Sequence, residues 1–92
     1  MRLEWSPHAV ADLKAISEYI EQDRSLETAN RITRAIYSAI QGLRTTPYRG
    51  RHGRMEDTRE MVVSSLPYIV VYRAFDEHLL ILNIVHGTQR RP

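Results

Sequence analysis

Two stretches late in the chain, Tyr68–Phe75 and residues 79–85, are apolar at nearly every position. A strand with one wet face alternates apolar and polar residues, because successive side chains point to opposite faces. These two do not alternate. The hairpin they predict, with a tight turn near Asp76-Glu77, therefore needs cover on both faces. Asp-Glu is not favoured turn chemistry, which leaves the register open. A turn centred there sets Arg73 opposite Leu80, Val71 opposite Leu82 and Ile69 opposite Ile84 on one face. Tyr72, Ile81, Val70, Asn83, Tyr68 and Val85 then make the other.

The rest of the chain supplies cover for one of those faces. Leu3 and Trp5 alternate with Arg2 and Glu4, a short strand over residues 2–6. Ser6-Pro7 is a helix start, with a capping hydroxyl and a proline whose missing N–H costs nothing there. Val10, Leu13, Ile16 and Ile20 follow at helical spacing, and this helix should end near Asp23-Arg24. Ser25 caps a second helix with the stripe Ala29, Ile32, Ile36, Ile40 and Leu43, stopped by Pro47. So short a link makes the two helices antiparallel neighbours. Residues 47–57, rich in Gly and Arg, read as a loop, residues 58–65 as a strand, and Leu66-Pro67 as a turn.

The predicted order is β-α-α-β-β-β, with helices in the N-terminal half and strands in the C-terminal half. That is an α+β fold, an N-terminal helical hairpin packed on one face of an antiparallel sheet. A single domain over residues 1–92 is expected at this length. The second sheet face still carries large apolar residues, and such a patch on a small protein marks a binding surface. The expectation is a partner chain on the sheet, with sheet curvature and arginine stems as the alternative cover.

Composition narrows the class. The 42% apolar and 26% charged residues are those of a globular chain. No apolar run reaches the length of a membrane span, and the N-terminus shows no signal-peptide pattern, so a cytoplasmic protein with no membrane partner is expected. Without cysteine there is neither a disulfide framework nor a thiolate zinc site. Residues 1–40 hold five basic and six acidic side chains, residues 41–92 eight basic and five acidic. Lys14 is the one lysine among 13 basic residues. Arginine grips carboxylates and phosphates in pairs, so this bias favours an anionic partner; coding bias or plain surface charge explains it equally well.

Candidate chemistry is sparse. There is no Gly-rich phosphate loop, nucleophile motif or HExxH. The spacing of His8, His52, His78 and His86 suits no metal site, and no metal or other cofactor is expected. His86 ends the last apolar strand. It reads either as an acid or base acting on nucleic acid or as a hydrogen-bonded strand-end histidine. In the assumed register it shares a face with Arg73. Arg44, Arg49, Arg51, Arg54 and Arg59 fall within 16 residues and, joined by Arg73, Arg90 and Arg91, form either an anion-gripping patch or a solvated loop. Tyr48 is the one aromatic in that loop, which argues against a base-stacking platform.

Three segments, LEWSPHAVADLKAISEYI, TREMVVSSLPYIVVYRAF and LLILNIVHGTQRRP, resemble the RelE/ParE superfamily, the toxins of bacterial type II toxin–antitoxin modules often called plasmid stabilisation proteins. The resemblance implies the same element order and a cognate antitoxin that folds over the toxin in a hetero-oligomer. RelE-like members cut mRNA on the ribosome, several with a Tyr-Arg-Leu-Val-Tyr strand whose arginine serves catalysis. Here the run is Tyr68-Ile69-Val70-Val71-Tyr72, so Ile69 stands where that arginine would be. ParE-like members poison DNA gyrase, and their strand resembles Val70-Val71-Tyr72-Arg73. The ParE-like reading, growth inhibition through gyrase with no chemistry, is favoured, with Arg59, Arg73, His86, Arg90 and Arg91 facing the target. In an endoribonuclease His86 would be the acid or base and Arg59 or Arg73 would hold the phosphate. An inactive antitoxin-binding relic is the third reading. The antitoxin is expected on the helical hairpin and neighbouring sheet, at Leu13, Ile20, Tyr68, Val70, Tyr72, Leu80 and Leu82.

Overall fold

The computed structural model describes residues 1–89. Strand β1 (Arg2–Trp5) leads into helices α1 (Pro7–Asp23) and α2 (Leu26–Gly42), followed by strands β2 (Arg51–His52), β3 (Arg59–Val62), β4 (Tyr68–Phe75) and β5 (His78–His86) and a 3-10 turn at Gly87–Gln89. The α+β class and the element order agree with the sequence pattern. One short strand is added: Arg51 and His52, inside the expected loop, pair with Glu60 and Arg59.

The five strands lie in the order β1-β5-β4-β3-β2. All pairs are antiparallel except β1 with β5, which is parallel, so the sheet is mixed where an antiparallel one was expected. Alternation in residues 2–6 fixes which side chains point inward but carries nothing about the direction of the neighbouring strand. The parallel ladder begins with Arg2 N–H on Glu77 O at 2.8 Å and extends one residue past β1 with Ser6 N–H on Ile81 O at 2.9 Å.

Ser6 does two jobs. Its hydroxyl accepts the Ala9 N–H at 3.0 Å, capping α1, and donates to Leu82 O at 2.8 Å. Ser25 caps α2 by accepting the Thr28 N–H at 3.0 Å. The helices cover one sheet face, and Ile36, Ile40, Leu43, Val70, Tyr72, Leu79 and Ile81 are fully enclosed there. Each such side chain contributes about 1.5–3 kcal/mol by leaving water.

The β4–β5 register departs from the simple hairpin. Arg73 lies opposite Leu80 as expected, but an irregularity follows at Val71/Tyr72. Beyond it Val71 faces Asn83, Val70 faces Ile84, Ile69 faces Val85 and Tyr68 faces His86. One residue is therefore extra on β5, and every side chain after Leu82 changes face relative to the unbulged register. Ile84 joins the core, while Val71, Leu80, Leu82 and Val85 lie half-buried on the helix-free face. Alternation arguments carry little signal for such an insertion when nearly every residue of the strand is apolar.

Candidate functional site

Three surface regions hold the residues singled out by sequence. The first is a pocket of about 370 Å³ at the Arg59 end of β3, lined by Tyr48, His52, Asp57, Thr58, Arg59, Arg73, Ala74 and Phe75. Behind it Tyr72 is fully buried and holds the loop before β3 in place. Its hydroxyl donates to Pro47 O at 2.8 Å and accepts the Gly50 N–H at 2.9 Å. A Cβ on Gly50 would lie 2.8 Å from that hydroxyl and 2.9 Å from Glu60 O, so only glycine lets the backbone come this close. Burial pushes the Tyr72 phenol above its ordinary value; the Gly50 bond and the Arg59 and Arg49 charges pull weakly the other way.

Arg59 is a staple as well as a charge. Its Nη1 donates to Gly50 O at 2.8 Å and Tyr48 O at 3.3 Å, and its guanidinium lies 5.1 Å from the Tyr48 ring centre. The rest of the arginine cluster is dispersed by the fold. Arg44 donates to Met1 O at 3.2 Å, and Arg51 pairs at 3.6 Å with Glu60, whose side chain is only 5% exposed. The run of arginines is thus partly internal architecture; Arg59, opposite Tyr72, and the exposed Arg73, on the other face of β4, reach one pocket at the end of the sheet from its two sides.

The second region surrounds His86. Its ring meets the Tyr68 ring edge-on at 5.6 Å, and its Nδ1 lies 2.9 Å from the Thr88 hydroxyl. Ala15, Ile16 and Tyr19 of α1 line the same shallow pocket. His86 therefore faces the helices and does not share a face with Arg73. The two lie at opposite ends of the hairpin. Five residue steps from Tyr68, the partner of His86, to Arg73 span about 17 Å. His86 and the Arg59–Arg73 pair cannot surround one phosphate. Arg90 and Arg91 lie outside the described residues.

The third region is an apolar groove of about 450 Å³ between the helices and the end of β1, lined by Trp5, Val10, Leu13, Lys14, Ser17, Glu18, Thr33 and Tyr37. Trp5 stacks on Tyr37 with ring centres 6.2 Å apart. Val10 and Tyr37 are 55% and 51% exposed, in a groove with no wall of its own on the solvent side. The Thr33 hydroxyl, shielded from solvent beside it, has no hydrogen-bond partner among the described residues.

The expected antitoxin set divides across these surfaces. Leu13 lies in the groove, and Leu80 and Leu82 lie half-buried on the open sheet face. Ile20, Tyr68, Val70 and Tyr72 are buried in the core. They are at most 8% exposed, because Ile20 of α1 packs onto the sheet face that carries Tyr68, Val70 and Tyr72. Sequence reading missed Trp5, Val10 and Tyr37 as one surface, and it missed His52 and Phe75 as pocket residues. The exposed side of the α1 stripe was the usable signal for the groove; nothing in the sequence joins Phe75 to Tyr48.

Among the described residues no group of three His, Asp or Glu side chains stands close enough to hold a metal ion, and no helix is long and apolar enough to cross a membrane.

Residues 3–91 match the family model for the ParE toxin of the type II toxin–antitoxin system parDE. Y4kP of Sinorhizobium fredii, a protein named as a candidate toxin, is 36% identical over 91 residues, covering 99% of this chain and 93% of that one. Among solved structures, the chromosomal ParDE toxin–antitoxin system of P. aeruginosa matches with a TM-score of 0.86 at 24% identity over 94% of this chain and 95% of that one. The intact E. coli RelBE toxin–antitoxin complex matches at 0.63 with 12% identity over 92% of this chain and 94% of that one. At these identities the two structures show a shared fold.

Proposed function

The chain belongs to the ParE toxins of type II toxin–antitoxin systems, and on that premise we propose that it arrests growth by poisoning DNA gyrase until a cognate antitoxin covers it. The groove between the helices carries the antitoxin half of this reading. It is apolar, open to solvent and rimmed by Lys14 and Glu18, the form that accepts one apolar face of a partner helix. A groove of this kind left wet would cost the free toxin solubility, which fits a chain that is held in a hetero-oligomer. The half-buried Leu80 and Leu82 offer the same partner a second contact on the sheet.

The gyrase half draws support from the separation of His86 from Arg59 and Arg73. With His86 about 17 Å along the hairpin from Arg73, a nuclease site built from those two residues is disfavoured. A target-binding role for Arg59 and Arg73 needs no such group. His86, Arg90 and Arg91 remain candidates for a separate contact.

One observation favours the endoribonuclease as a second reading. His52, not His86, lines the pocket of Arg59 and Arg73. An imidazole beside two guanidiniums is a chemically sufficient start for phosphodiester cleavage.

Inducible expression of the chain alone in bacteria, with growth followed beside a DNA-damage reporter, tests the proposal. Arrest with the reporter on, relieved by co-expressed antitoxin, is the expected result. Arrest with a silent reporter contradicts the gyrase reading and turns attention to His52. Normal growth would mark an inactive relic.

A further inference from the structure

The pocket at the Arg59 end of the sheet has more in it than a pair of charges. Phe75, at the end of β4, is 46% exposed and stacks on His78 with ring centres 5.6 Å apart, at an interplanar angle of 17°. The fold sets this ring in the same pocket as Arg59 and Arg73, 27 positions along the chain from Tyr48. The sequence had argued against a base-stacking platform because only Tyr48 stood near the arginines. The structure supplies a second ring.

We infer that this pocket binds one nucleotide of a nucleic-acid strand, its phosphate between Arg59 and Arg73, which reach the end of the sheet from opposite faces, and its base against Phe75, which shares the Arg73 face. Arg59 is preorganised for the task. Its Nη1 is engaged by two backbone carbonyls and its plane lies over Tyr48, which leaves Nε and Nη2 for an anion at little further cost in side-chain entropy. Arg73 is exposed and supplies the second fork. Asp57 is the one carboxylate in the lining; it reduces the positive field and offers an acceptor to a base amino group or a sugar hydroxyl. The pocket's volume of about 370 Å³ lies in the range of small-ligand sites, and its mixed lining suits a half-apolar, half-anionic guest. A free nucleotide in a DNA or an RNA strand presents the same phosphate and the same base face. This inference stands apart from the gyrase reading, because the pocket either binds a strand or does not, whatever the target enzyme.

The test is fluorescence anisotropy of the full chain with short single-stranded oligonucleotides, one of DNA and one of RNA with the same base order. Phe75→Leu keeps an apolar side chain but removes the ring, and should weaken binding about fivefold or more at an unchanged salt dependence. Arg73→Ala should weaken binding and lower the slope of log affinity against log salt by about 1. Arg34→Ala, an exposed change on α2, should do neither. Binding of both strands, or of only one, with this pattern of variants supports the inference and identifies the sugar. Three outcomes overturn it: no binding, equal loss with Arg34→Ala, or indifference to Phe75→Leu. Indifference together with competition by a polyglutamate peptide would reassign the pocket to an acidic protein segment.

Discussion

The carboxylate of Asp12 accepts the backbone N–H of Ile84 at 2.9 Å and the side-chain amide of Asn83 at 3.2 Å. Asp12 is on α1, more than 70 residues before its partners. The contact falls where β1 has ended and β5 continues without a strand on that side. Together with the Ser6 hydroxyl on Leu82 O, it satisfies the backbone of the irregular segment of β5. The change of face that carries His86 to the helix side is thus held in place by the first helix.

Asp12→Ala should cost about 1–3 kcal/mol, since it leaves the Ile84 N–H without its acceptor in a partly enclosed site. In a domain of this size each kcal/mol lowers Tm by roughly 4–8 °C. Asp12→Asn keeps an acceptor oxygen and should lose less. Denaturant melts of the two variants decide this, and equal stability of Asp12→Ala and the parent would show the bond to be idle.

Tyr72→Phe removes one hydroxyl and orphans both the Gly50 N–H and Pro47 O. A loss of about 1–3 kcal/mol is expected, with Gly50→Ala at least as damaging because of its close approach to the ring. Burial raises the phenols of both Tyr72 and Tyr68, with the Tyr19 charge a second cause at Tyr68. The folded state therefore prefers the protonated form of each. That contribution is fully present below the ordinary tyrosine value of about 10 and is lost as pH rises through the higher folded values. Stability should fall on the alkaline side of pH ~10, less steeply in Tyr72→Phe, as followed by melts across that range.

Val10→Asp places a charge in the groove between the helices at a position 55% exposed, so the fold should tolerate it within about 0.5 kcal/mol. Affinity for the antitoxin should drop by a hundredfold or more, as expected when a charge is buried unpaired at the centre of an apolar contact. Titration calorimetry against the antitoxin measures it. Unchanged affinity would move the antitoxin to the open sheet face of Leu80 and Leu82.

On the proposed gyrase reading, which requires no proton transfer, His86→Ala and His52→Ala should each leave growth inhibition within about threefold of the parent. A collapse by two or more orders of magnitude, the usual scale for a lost acid or base, would identify a nuclease, and the histidine responsible would locate its site.

The elements were legible because their signals are local. Ser6-Pro7 and Ser25 start the helices where expected, and the periodic stripes of Ile and Leu enclose the core. What the sequence concealed depends on contacts between distant segments. The parallel partner of β1 is chosen by the β5 edge, and the irregularity at Leu82 is hidden because β5 is mostly apolar and its single Asn83 does not show which face it takes. The same irregularity put His86 on the face opposite Arg73. At the candidate site, Arg59 and Arg73 were visible as charges, but the staple of Arg59 to Gly50 and the arrival of Phe75 follow only from the folded chain.

The most direct test of the central claim uses purified components: DNA gyrase, supercoiled plasmid and ATP, with this chain added alone or with its antitoxin. The account predicts that cleaved plasmid accumulates with the chain alone and that the antitoxin abolishes it. Undisturbed gyrase in the presence of excess chain, together with cutting of message in a translating extract, would contradict it.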